Sequence, residues 1–278
     1  IRRPPTSTLF PYTTLFRSLT SLKHLSLNGT QVSDAGLKHL RILTNLLSVN
    51  LEMTQITDAG LEQLSGLKKL RAMNIDLTQI SDSGIKHLGG LGELESLGLR
   101  HTQVTDAGLR HLKGLSNLQW LRQLDLTSTQ VTDAGLEHLG GLTNLRSLDL
   151  GDTQVTDAGL EHLGGLTELR VLPLGRTQVT DAGLQHLVVL TNLDSLDLAS
   201  TQVTDAGLVH LQGLTNLNSL NLGGTQVTDT GLECVAKLPY LDCLGLRNTQ
   251  VTNAGLVHLQ GLTNLRWCLR LSGTQVTD

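Results

Sequence analysis

One threonine marks the phase of this chain: Thr30, Thr54, Thr78, Thr102, Thr129, Thr153, Thr177, Thr201, Thr225, Thr249 and Thr274. Eight of the ten intervals are 24 residues, one is 27 and one is 25. Self-similarity at a period of 20 to 50 residues constrains a fold more than any local propensity does. A unit this short cannot bury its own apolar side, so copies must stack and bury each other. The expected architecture is a solenoid.

The unit reads L-x-x-L-x-L-x-x-T-x-V-[ST]-D-x-G-L-x-x-L-x-x-L-x-x, and its clearest copy runs from Leu145 through Leu148, Leu150, Thr153, Val155, Asp157, Gly159, Leu160, Leu163 and Leu166. Leu148 and Leu150 alternate with Ser147, Asp149 and Gly151, the period of a short strand. In the segment from Asp157 to Leu163 the leucines fall at i and i+3, one face of a seven-residue helix. Asp157 is the expected N-cap. Gly140 with Gly141, and Gly164 with Gly165, are expected to end such helices in a left-handed conformation. Parallel strands stack about 4.8 Å apart while helices are about 10 Å wide. The expected fold is therefore α/β: a curved horseshoe with parallel strands on the concave face and short helices on the convex face.

This pattern resembles the leucine-rich repeat family, L-x-x-L-x-L-x-x-N/C-x-L, with Thr in place of Asn or Cys. The resemblance covers Leu19 to Asp278 in about ten copies. The T-D-x-G-L segment is similar to bacterial repeats and to the cysteine-containing repeats found beside F-box domains.

Residues 1–18 stand apart. They match the in-frame translation of a short-read sequencing adapter at every position but Thr6, so they are expected to be non-native and are excluded from fold reasoning. The repeat domain is then 19–278, beginning part-way into a coil near Leu19 and stopping at Asp278 where the next helix would start. A fragment truncated at both ends is expected, and localisation and oligomeric state stay open.

Without Arg2, Arg3 and Arg17 the formal net charge moves from −4 to −7, and only Trp120, Tyr240 and Trp267 remain as aromatics. An acidic, aromatic-poor surface argues against a nucleic-acid partner. No apolar run is long enough to span a membrane. Cys234, Cys243 and Cys268 form no C-x-x-C pair, although Cys243 and Cys268 occupy nearly equivalent strand positions.

Three ladders of like residues invite chemistry. Histidine fills one helix slot at His39, His87, His111, His138, His162, His186, His210 and His258. A metal site needs a fixed number of converging ligands, which a column lacks, so no metal and no cofactor are expected. Aspartate recurs from Asp34 to Asp229 with Asn253 last, and N-capping accounts for it more simply than calcium. The threonine is expected to hydrogen-bond the loop backbone.

Function is sought where repeats differ. The outward strand position reads Ser26, Asn50, Asn74, Gly98, Asp125, Asp149, Pro173, Asp197, Asn221, Gly245 and Arg270, with Glu52, Asp76, Arg100, Arg176 and Arg247 near the edges. Trp120 and Trp267 accompany the two breaks in period, as bulges or as misjoins between repeats. The expected partner-binding residues are Asp125, Asp149, Asp197, Asn221, Arg100, Arg247, Trp120 and Trp267. With no nucleophile–base pair or phosphate loop, the chain reads as a non-enzymatic scaffold for a protein or peptide, favouring a basic one. Two other readings stand beside it. One is the targeting arm of a larger enzyme, such as an F-box-type ubiquitin ligase or a receptor kinase; the other is a structural surface array.

Overall fold

The computed structural model describes residues 18–113 and 120–278. Eleven three-residue strands form one open, uncurled sheet, all parallel and in chain order. They are β1 (His24–Ser26), β2 (Ser48–Asn50), β3 (Ala72–Asn74), β4 (Ser96–Gly98), β5 (Gln123–Asp125), β6 (Ser147–Asp149), β7 (Val171–Pro173), β8 (Ser195–Asp197), β9 (Ser219–Asn221), β10 (Cys243–Gly245) and β11 (Cys268–Arg270). The middle residue of each strand from Val49 to Leu244 is buried, and the first and third face outward. Leu145, Leu148, Leu150, Val155, Leu160, Leu163 and Leu166 of one coil are all inaccessible to solvent. Their burial between coils supplies the main driving force, about 1.5–3 kcal/mol per side chain.

The helical elements are tighter than the seven-residue turn expected. Asp58–Leu64, Asp106–Lys113 and Asp229–Val235 remain α-helical, whereas Asp181–Leu184 passes into a 3-10 turn at Gln185–Val189 and Gly207–Gly213 is 3-10 throughout. Segments this short have no helix stability of their own and follow the packing of their leucines.

The aspartate ladder does not cap its own helices. Thr156 takes the N-cap position, its Oγ1 accepting from the Ala158 N–H at 3.3 Å, and Asp157 is the first helical residue. Its carboxylate points into the next coil, where Oδ1 accepts the Thr180 N–H at 2.7 Å and Oδ2 the Thr180 hydroxyl at 2.6 Å. Asp34 does the same to Thr57, Asp58 to Ser81, Asp106 to Thr132 and Asp229 to Thr252. Each carboxylate thus braces the N-terminus of the following helix, a charge-assisted bond between coils. The Thr252 hydroxyl, aided by its N–H, holds Asp229 below the usual carboxylate range. Asn253 keeps the link to Thr277 through its amide. The glycine of T-D-x-G-L follows from this bond, because a Cβ at Gly183 would overlap Oδ1 of Asp157.

The recurring threonines are 4–6 % exposed from Thr54 to Thr249, and each hydroxyl donates to a backbone carbonyl three residues back, as Thr153 does to Leu150 at 2.6 Å. A further ladder is formed by asparagines before the strands: Asn192 Nδ2 donates to the Thr167 carbonyl at 2.9 Å and Asn216 to Thr191 at 2.8 Å.

Left-handed backbone does not fall at Gly140, Gly141, Gly164 or Gly165. It falls immediately before every marker threonine: Gly29, Met53, Leu77, His101, Ser128, Asp152, Arg176, Ser200, Gly224, Asn248 and Gly273. The N–H of that residue donates to the next coil, as Asp152 does to Gly175 at 2.8 Å, which fixes the unusual φ. Several of the helical segments end instead in a 3-10 turn closed by residues such as Leu190, at φ −85 and ψ 54.

Two outcomes follow. Asp157→Ala leaves the Thr180 N–H and hydroxyl without their acceptor and should lower unfolding stability by about 2–3 kcal/mol, with Asp157→Asn costing less, as read by denaturant titration. Leu77→Asn, which favours the left-handed conformation, should raise stability by about 1 kcal/mol in the same assay.

Candidate functional site

The third residue of each strand points outward, so register decides which of these side chains meet. Asn74 pairs with Gly98, Gly98 with Asp125, and Asp125 with Asp149. Pro173 has no N–H, and pairing between β6 and β7 is reduced to Ser147 with Val171. Asp197 lies beyond it, beside Asn221.

These side chains already have a scaffold role. Asp149 Oδ1 accepts the Gly151 N–H at 3.0 Å, Asp197 Oδ1 that of Ala199 at 2.8 Å, and Asp125 Oδ1 that of Thr127 at 2.9 Å. Asn50, Asn74 and Asn221 make the same bond to the residue two further on. This is an Asx turn leading each of these six strands toward its left-handed residue, and either Asp or Asn satisfies it.

Around Gly98 the face sinks into a depression of about 460 Å³ whose lining includes Asn74, Asp76, Asp125, Ser147 and Asp149. The missing side chain lets the Asp76 carboxylate lie over β4, where Oδ1 accepts the Arg100 N–H at 2.8 Å; a Cβ at Gly98 would crowd it. Burial pushes Asp76 up to about 6; the Arg100 N–H and guanidinium oppose the shift, and the charges of Asp125 and Glu52 add to it. Asp149 is also raised, first by burial and then by Asp125, against the Gly151 N–H. The Thr127 hydroxyl donates to Asp125 Oδ1 at 2.5 Å and lies against Asp149. Sequence reasoning placed Asp76 only at the edge of the face; its inward turn depends on Gly98, a contact no single repeat displays.

The remaining expected residues are dispersed. Arg100 and Arg247 are exposed after β4 and β10, and Arg247 meets its neighbour through its backbone carbonyl. Trp120, 50 % exposed, leads into β5; residues 114–119 before it lie outside the described residues, as do 1–17. Trp267, 84 % exposed, leads into β11, so the two tryptophans do not share one anchor surface. Among the described residues no three His, Cys, Asp or Glu converge as metal ligands, and no helix is long and apolar enough to cross a membrane. The histidine column makes scattered contacts, such as His258 with Glu233 at 3.9 Å, and His138 Nδ1 is buried without a partner.

The family model described as the leucine-rich repeat matches residues 18–40, 43–65, 117–140, 141–164, 189–211 and 213–236, just over half the chain. The chain belongs to the leucine-rich repeat family. Its fold is similar to that of an internalin (InlF) from Listeria monocytogenes strain 4b F2365, with a TM-score of 0.72 and 29 % identity over 94 % of this chain and 77 % of that one. An internalin C2 (InlC2) from the same strain aligns with a TM-score of 0.57 and 30 % identity, over 78 % of this chain and 84 % of that one. No curated protein sequence matches it. As a leucine-rich repeat chain it carries its scaffold in the recurring positions, while the outward strand residues differ from coil to coil.

Asp76 makes the pH behaviour testable. Its folded carboxyl binds a proton more tightly than the ordinary value of 3.8, so its contribution to stability is complete below that value and is lost as pH rises through about 6. Asp76→Asn retains an acceptor for Arg100 and removes this titration. Denaturant titrations at about pH 4 and about pH 7.5 should show a smaller loss on going to the higher pH than in the parent chain; an equal loss would contradict the assignment.

Proposed function

We propose that this leucine-rich repeat chain is a non-catalytic recognition scaffold that binds a protein or peptide along its strand face, with basic side chains of the partner over the depression at Gly98. The observation that carries the reading is the gathering of Asp76, Asp125 and Asp149 around one depression of the strand face, where burial raises Asp76 to about 6. Carboxyls crowded by burial and by each other gain most from a cation, which relieves their repulsion and replaces lost hydration. Leucine-rich repeat proteins commonly act as protein-interaction scaffolds, which agrees with this reading.

The chain contains its own control. Because Asn50, Asn74 and Asn221 make the same Asx turn as the aspartates, changing Asp125, Asp149 and Asp197 together to Asn removes charge while keeping the backbone bonds. A fluorescent oligolysine peptide, with oligoglutamate as its counterpart, serves as probe. The triple variant should bind oligolysine about tenfold or more weakly, a loss of about 1.4 kcal/mol, with unchanged circular dichroism. Affinity that survives the substitutions would reject this face. Binding by the parent should also weaken as pH falls through about 6, when Asp76 takes up its proton.

A further inference from the structure

Cys234, Cys243 and Cys268 are unbonded thiols, each partly exposed. Two of them are direct strand partners: the register of β10 with β11 sets Cys243 against Cys268 and Leu244 against Leu269. Adjacent strands stand about 4.8 Å apart, inside the roughly 4.4–6.8 Å between Cα atoms that a disulfide spans. Both cysteines are first residues of their strands, so both sulfurs project from the strand face, opposite the leucine side. Burial, and then the neighbouring Cys268 thiol, push the Cys243 thiol up.

The pairing survives the break in period. The extra residue is taken up before the strand, where the Trp267 and Cys268 N–H groups both donate to the Asp242 carbonyl, at 3.1 and 3.3 Å. The equivalent residues of β2, β4, β6, β8 and β9 are serines, so this slot fits a small polar side chain and needs no sulfur for packing. Cys234 is elsewhere, on the helix Asp229–Val235, with its sulfur accepting from Gln212 Nε2 at 3.3 Å.

We propose that Cys243 and Cys268 form a redox clip, a disulfide that closes under oxidation and ties the coil of β11 covalently to its neighbour. With oxidised glutathione as oxidant, one cysteine thiolate attacks a glutathione sulfur and releases the first glutathione thiolate. The second cysteine thiolate then attacks the protein-bound sulfur of that mixed disulfide and releases the second. Two protein thiols are oxidised, one glutathione disulfide is reduced to two thiols, and the two cysteine protons end on glutathione.

The test uses the full chain incubated with excess oxidised glutathione, followed by thiol counting and non-reducing tryptic mapping. Reactive thiols should fall from three to one, and the fragments 238–247 and 267–270 should appear joined, leaving Cys234 free in 177–237. Cys234→Ser should still lose two thiols, and Cys268→Ser should yield no internal bridge. Serine already occupies this slot elsewhere, so that variant keeps the fold. Closure should also slow tryptic cleavage after Arg270 in the native protein. Three thiols persisting, glutathione remaining attached at Cys243 or Cys268, or a bridge that includes Cys234 would each overturn the proposal.

Discussion

From the coil of Thr57 to that of Thr252, each coil is tied to a carboxylate from the one before it. Leucine burial drives stacking, and the parallel strand ladder with its buried middle residues fixes the register on the strand side. The aspartate of T-D-x-G-L ties the helix side of each coil to the next. It accepts an N–H and a hydroxyl from the next coil's threonine, while the facing glycine leaves room for it, so three residue types recur together for one bond. The bond spans the insertion before β5 unchanged, with Asp106 reaching Thr132 across 26 residues instead of 23. A break in sequence period is therefore absorbed outside the brace.

The strand face carries a second use of the same chemistry. Its aspartates turn the chain through an Asx bond, a duty asparagine performs equally well at Asn50, Asn74 and Asn221. Charge at Asp125, Asp149 and Asp197 is thus not required by the fold. The depression at Gly98 adds to this, because removing one side chain brings Asp76 over the sheet and crowds it against Asp125.

The period, the parallel sheet and the leucine core were legible in the sequence, since they rest on spacing that repeats. The partner of each aspartate was not. A carboxylate before a glycine and a leucine satisfies the local pattern of an N-cap, and only the stacked neighbour reveals that its acceptor sites face outward from its own coil. The glycine pairs misled for the same reason: Gly140 and Gly141 look like helix stops, yet the left-handed residue is imposed at Asp152 and its equivalents by a hydrogen bond across coils. Asp76 was visible only as an edge charge, because its burial depends on the absence of a side chain at Gly98, in the next coil. The outward positions of Asp125, Asp149, Asp197 and Asn221 followed directly from alternation, whereas the separation of Trp120 from Trp267 required the stack itself.

The measurement closest to the central claim is site-resolved amide hydrogen exchange at the residues that donate to the aspartate ladder, Thr57, Ser81, Thr105, Thr132, Thr156, Thr180, Thr204, Thr228 and Thr252. If the carboxylate brace sets the stack, these loop amides should be protected to the level of the strand amides at neutral pH. In Asp157→Ala the Thr180 amide, which loses its acceptor, should lose that protection. Exchange at the rate of open loops in the parent chain, or protection of Thr180 retained in that variant, would contradict the account.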